Sequence, residues 1–211
     1  MLTMIPLARE GWPFILIPLS LAVILWVAGW QVGSITALIL AVLVALFFRD
    51  PPRDIPKGEG LILAPADGTV VQVIPYLGHE LQEPATQISI FLSVFNVHIN
   101  RAPFPAVVET VEYKPGTFRI AWQSEASTAN EQNLIALKAP EGRLLVKQIA
   151  GLIARRIVCR VVPGQKLEAG ERIGMIRFGS RVDLIVPARA ELSVKRGDRV
   201  KGGITVMGAL R

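Results

Sequence analysis

Residues Trp12–Phe48 carry no charged side chain. A bilayer core is crossed by about 20 apolar helical residues, so this block is too long for one straight span and short for two. It divides into "PFILIPLSLAVILWVAGW", "QVGS" and "ITALILAVLVALFF". The middle piece is a turn signal of hairpin length. The reading is two short, tilted helices joined at Gln31–Ser34, with Trp12, Trp26 and Trp30 near the interface levels. A cleavable secretory signal fits badly, because its apolar core runs to only about 7–15 residues and ends at a small-residue site. Arg9 precedes the block, Arg49 and Arg53 follow it, and its turn has no positive charge. The excess of arginine puts both ends, and everything after residue 50, on the cytoplasmic side of the cell membrane.

"RDPPRDIPKGEG" (49–60) is a linker whose prolines stop the second helix. The expected organisation is an anchoring hairpin over residues 1–50 and a β-rich domain over residues 51–211. Arg9, Glu10, Arg49 and Asp50 cancel, so the formal charge of +6 falls on the second part. Such a charge suits anionic lipid head groups, and equally suits a plain solubilising surface. No basic run is interleaved with aromatics, so nucleic-acid binding is not indicated. The lone Cys159 allows no internal disulfide, and no Cys/His cluster has metal-ligand spacing.

After the linker, short apolar runs are punctuated by Gly and Pro. The expected strands are Leu61–Ala64, Thr69–Ile74, Gln87–Ser93, Ala106–Tyr113, Asn133–Ala139, Leu144–Ile149, Ile157–Val161, Arg172–Ile176, Val182–Val186, Glu191–Val194 and Ile204–Met207. This predicts a mainly β fold, a sandwich or barrel. Ala150–Arg156 reads as a helical turn and Ser124–Asn133 as a polar loop. "VVPGQKLEAGERIGMI" and "LSVKRGDRVKGGITVMG" share one form, strand, Gly turn, basic strand, Gly, strand, which recurs in lipoyl- and biotinyl-type sandwiches.

The run "MIRFGSRVDLIVP" (175–187) is a good strand interrupted by Gly179-Ser180-Arg181. A bulge or turn explains that interruption, and so does a backbone bond the protein breaks itself. Gly lets the backbone bend, and a small hydroxyl beside it can approach the preceding carbonyl. His98, in "FLSVFNVHINRAP", is either a partnered core imidazole or a base. His79 reads as a surface residue. Asp67, in "APADGTV", is explained by an Asp-Gly turn as readily as by an acid. Together Asp67, His98 and Ser180 could form an acid, base and nucleophile.

"PADGTV", "FLSVFNVHINRAP", "NEQN" and "IRFGSRVDLIVP", in this order behind an apolar hairpin, resemble the phosphatidylserine decarboxylase family. The resemblance covers essentially the whole chain and is closest to the short branch with archaetidylserine decarboxylase-like members. It implies self-cleavage between Gly179 and Ser180 into a large β chain (1–179) and a small α chain (180–211), which stay associated. Ser180 would become a covalent pyruvoyl group, the cofactor for removing CO2 from a serine phospholipid in the membrane. His98 would take the Ser180 proton, with Asp67 orienting the imidazole. The family is often dimeric.

Longer members carry Thr where Arg181 stands and a second His where Phe95 stands, so His98 would serve both proton steps. Phe95, Asn100, Arg101 and Arg181 are the candidate substrate-binding residues. The competing reading is a non-enzymatic, membrane-anchored lipoyl-like adaptor or carrier. Its modifiable lysine would be Lys195 or Lys201, neither of which has the usual Met beside it.

Overall fold

The computed structural model describes residues 6–78, 80–81, 83–118, 129–151, 156–177 and 180–210. His79, Gly179, residues 124–128 of the expected 124–133 loop and the centre of the expected 150–156 helical turn lie outside the described residues, and Gln132 and Asn133 of that loop belong to a strand instead. The chain divides into two compact units, Met1–Pro52 and Arg53–Arg211.

The first unit is a pair of packed helices, α1 (Trp12–Val27) and α2 (Gln31–Phe47). Pro13 sits in the first turn of α1, where its missing N–H costs no hydrogen bond. The chain reverses at Ala28–Trp30, not at the expected Gln31–Ser34, which forms the first turn of α2. The reason is local. Gly29 adopts φ +80°, which a side-chain-bearing residue takes only with strain, and so ends α1. Ser34 is drawn into the packing instead, its Oγ donating to the Ala22 carbonyl at 2.7 Å. The outer faces stay apolar and exposed, as at Ile17, Val27 and Val32.

The named strands of the second unit all pair antiparallel, and one isolated parallel bridge joins Thr117 and Asn130. The strands are β1 (Leu61–Leu63), β2 (Gly68–Tyr76), β3 (Ala85–Leu92), β4 (Ile99–Arg101), β5 (Ala106–Lys114), β6 (Gln132–Ala139) and β7 (Gly142–Ile149). They continue as β8 (Ile157–Cys159), β9 (Lys166–Leu167), β10 (Arg172–Ile176), β11 (Ser180–Pro187), β12 (Glu191–Leu192), β13 (Arg199–Val200) and β14 (Val206–Ala209). An eight-stranded sheet has the order β13-β2-β3-β11-β7-β6-β5-β9, and two three-stranded sheets run β1-β14-β12 and β4-β10-β8. The mainly β expectation holds. The strands missing from the sequence reading, β4, β9 and β13, have two or three residues each, too few to show a period.

The second unit uses one turn geometry twice. Gly164 and Gly170, and likewise Gly197 and Gly203, lie six residues apart with φ between 74° and 99°. Their N–H groups donate to Val108 and Ala102 in the first case and to Val70 and Ala64 in the second. The shared Gly-turn form noted in the sequence is thus one structural device used twice.

Alternation along β3 and β11 sorts their side chains. Ile88, Ile90, Leu92, Val182, Leu184 and Val186 enter the main core, while Ile185 joins Leu134, Ala136 and Leu145 on the opposite face.

Candidate active site

"MIRFGSRVDLIVP" is two strands. β10 ends at Ile176 and β11 begins at Ser180, in a different sheet. Ser180 is therefore the first residue of a new strand, opposite Leu92, the last residue of β3. On the other side of the junction, the Ile176 N–H donates to the His98 carbonyl. The Ser93–His98 loop between β3 and β4 is thus tied at both ends to the β10–β11 junction. His98 and Ser180, far apart in sequence, thus lie at the ends of two connected segments, the β3–β4 loop and the start of β11.

The local chemistry suits each residue. Ser180 is fully buried, and its Oγ has no hydrogen-bond partner among the described residues. An orphaned buried hydroxyl costs roughly 1–3 kcal/mol, so its persistence asks for a use. His98 is fully buried too, with Nδ1 at 2.9 Å from the Asn96 carbonyl. A carbonyl only accepts, so Nδ1 carries the proton and Nε2 of the neutral imidazole is the basic nitrogen. Asn96 also braces the loop, its Oδ1 accepting from the Ser93 N–H and Oγ.

Asp67 is gripped elsewhere. Arg53 Nη2 donates to both its oxygens at 3.0 and 2.9 Å, and the Gly202 N–H donates to Oδ1 at 2.8 Å. Asp67 thus joins the start of the second unit to the chain's last strands.

Asn100 is fully buried on β4. Its Oδ1 accepts from Gln148 Nε2 at 2.8 Å, and Gln148 Oε1 accepts from Asn133 Nδ2 at 3.0 Å. This relay crosses over Gly174, where a Cβ would lie 2.8 Å from Gln148 Nε2. Because Asn100 Oδ1 is committed, the free end of that amide is Nδ2, buried without a partner among the described residues. Arg101 Nη1 donates to the Gly170 carbonyl and borders a cleft of about 490 Å³ with Arg53 and Arg172. Phe95 stands at the loop tip, 83% exposed. Arg181 is fully buried and ion-paired to Asp183 at 2.6 Å.

Sequence reasoning missed Arg53, Asn133, Gln148 and Asp183. The last three had a signal: each is a polar residue inside an apolar strand run. Arg53 had none, since it lies in a charged linker.

The other face of β11 opens into a cleft of about 420 Å³, lined in part by Gln72, Tyr76, Glu80, Lys147 and Arg181. Burial pushes the Lys147 amine down, against the pull of Asp183 and Glu80. Burial, aided by the hydrogen bond to Glu80, pushes the Tyr76 hydroxyl up. Burial alone would raise the Glu80 carboxyl, but the Tyr76 hydroxyl and nearby lysines outweigh it and hold Glu80 below its ordinary value.

The phosphatidylserine decarboxylase family profile matches residues 40–208. A phosphatidylserine decarboxylase proenzyme of Symbiobacterium thermophilum is 46% identical over 97% of this chain and 95% of its own length. Those of Magnetococcus marinus (44%, covering 97% and 95%) and Xanthobacter autotrophicus (46%, covering 97% and 89%) are similar to it as well. The chain belongs to the phosphatidylserine decarboxylase family, whose members are carboxy-lyases. The non-enzymatic carrier reading finds no support in these relatives.

Proposed function

We propose that this protein is a membrane-bound phosphatidylserine decarboxylase that makes its own pyruvoyl group from Ser180. The observation that carries this reading is the buried, unpartnered Ser180 hydroxyl at the head of β11, beside the loop that holds His98. His98 Nε2 takes the hydroxyl proton, and Ser180 Oγ attacks the Gly179 carbonyl, so a C–O bond forms as the C–N bond breaks. Elimination then breaks the Cβ–O bond and releases the Gly179 carboxylate. One water hydrolyses the remaining enamine, leaving a ketone and ammonia. The expected orienting role of Asp67 passes to the Asn96 carbonyl, which holds His98 Nδ1, while Asp67 is committed to Arg53 and Gly202.

The pyruvoyl group supplies an electron sink for the carbanion left when CO2 departs. This chain's residues do the rest. Asn100 Nδ2 is a free donor for a polar group of the head. Arg101 borders a cleft lined by three arginines and two glutamates, Phe95 offers an apolar contact for the lipid, and His98 returns a proton to carbon. Residues 1–50 anchor the enzyme, since their exposed apolar faces need a lipid phase. α1 with its preceding turn, Arg9–Val27, is long and apolar enough to cross, whereas α2 is shorter. Residues 51–211 work at the cytoplasmic leaflet, on the arginine asymmetry. The β and α chains stay together because β11 pairs with β3 from Ser180 to Pro187 and with β7 from Arg181 to Ile185.

A denaturing gel and intact mass test the reading. Wild type should give fragments 1–179 and 180–211, the smaller blocked by a ketone that borohydride plus serine lipid converts to a stable adduct. Ser180→Ala should give one uncut, inactive chain. A cut that persists in Ser180→Ala, or active protein that remains uncut, overturns it.

A further inference from the structure

Self-cutting sets a retention problem for the small chain. Its new end, residue 180, would carry a ketone and no charge, so no ion pair could hold it. Only its neighbours can. Ser180 is paired on one side, to Leu92, whereas pairing to β7 starts one residue later, at Arg181 opposite Ile149. A strand end held by a single ladder is where fraying begins.

Arg181 is the first residue of β11 paired on both sides, and its side chain lies on the face opposite Ser180. Its guanidinium is fully buried. Nε donates to Asp183 Oδ1 at 2.6 Å, and Nη2 donates to Ser89 Oγ at 2.6 Å and to Gln72 Oε1 at 2.9 Å. Those acceptors sit on β11, β3 and β2, three adjacent strands. A buried ion pair seldom stabilises a fold more than apolar residues of the same size would, so stability alone gives no reason for a charged group here. Its rigid, multi-donor geometry gives one.

We propose that Arg181 is a positioning residue that clamps the head of β11 to β3 and β2, holding the reactive carbonyl at residue 180 in place once the bond to Gly179 is gone. The inference rests on Ser180 being the cut site. Before the cut, the covalent chain restrains Ser180 from both directions. Afterwards the clamp is the main restraint, so its loss weakens turnover more than processing.

The test is Arg181→Met with Asp183→Leu, which removes both members of the pair and leaves Lys147 facing Glu80, in full-length enzyme in mixed micelles of serine phospholipid. Processing should run to completion at a rate within about threefold of wild type. The value of kcat should fall at least about tenfold with KM little changed, since small misplacements at a reacting centre cost rate steeply. Exchange of the first β11 amides should quicken in the cut protein while Tm holds. Ser89→Ala, which removes one acceptor and leaves the charges paired, covers the case where the double variant does not fold; it should show the same split, about threefold in kcat. Arg181→Lys should recover only part of the loss. Turnover at the wild-type rate, or processing and turnover falling together, overturns the proposal. A wild-type chain that never cuts would instead overturn the assignment of Ser180.

Discussion

Replacing Gln148 by Met should destabilise the protein through its neighbours. Gln148 is fully buried and links Asn133 to Asn100 by hydrogen bonds of 3.0 and 2.8 Å. Met has a similar length and shape but can pair with neither. Asn133 Nδ2 and Asn100 Oδ1 are then both buried without partners, at about 1–3 kcal/mol each. Burying a thioether in place of an amide returns at most about 2 kcal/mol. At full offset the net loss is about 0–4 kcal/mol, centred near 2, or roughly 4–8 °C in Tm at that centre for a chain of this size. The measurement is the thermal loss of the far-ultraviolet β signal in detergent, on the full chain carrying Ser180→Ala so that one species unfolds. A double-mutant cycle gives the sharper result. Asn133→Ala should cost about 1–3 kcal/mol less in the Gln148→Met background than alone, because there its amide already lacks a partner. Additivity within about 0.5 kcal/mol would refute the relay.

Two further outcomes follow from local geometry and charge. Glu80 is held below its ordinary value, so its contribution is present above that value and lost as pH falls through the folded one. The stability advantage of wild type over Glu80→Gln, no more than about 1 kcal/mol for this half-exposed group, should therefore be seen at pH 7 and shrink as the pH is lowered into the acid range; an advantage that grows in acid contradicts the assignment. Gly60 adopts φ +70°, and a Cβ there would strike the Leu210 carbonyl oxygen. Gly60→Ala should cost about 2–4 kcal/mol by differential scanning calorimetry, from left-handed strain plus overpacking, and a wild-type Tm would exclude it.

The sequence by itself determined what depends on local pattern. An uncharged apolar block of 37 residues can only be helical and lipid-facing or deeply buried, and its hairpin form was legible. The place of the turn was not, because Gly29 and Gly33 are both plausible breakers until packing places Ser34 against α1. The β strands were legible from alternation and from Gly and Pro punctuation, except β4, β9 and β13, whose two or three residues show no period. Ser180, His98 and Asp67 could be singled out through their motifs. Their surroundings could not, because strand register makes them: Ser180 faces Leu92, and Ile176 bonds the His98 carbonyl. The tertiary structure also decided the partners of Asp67 and the burial of Arg181. Both depend on chain segments more than 100 residues apart meeting across a sheet, as Asp67 meets Gly202 and Arg181 meets Gln72. Hydrophobic periodicity records which face of a strand is buried, but it carries no information about which strand lies next to it.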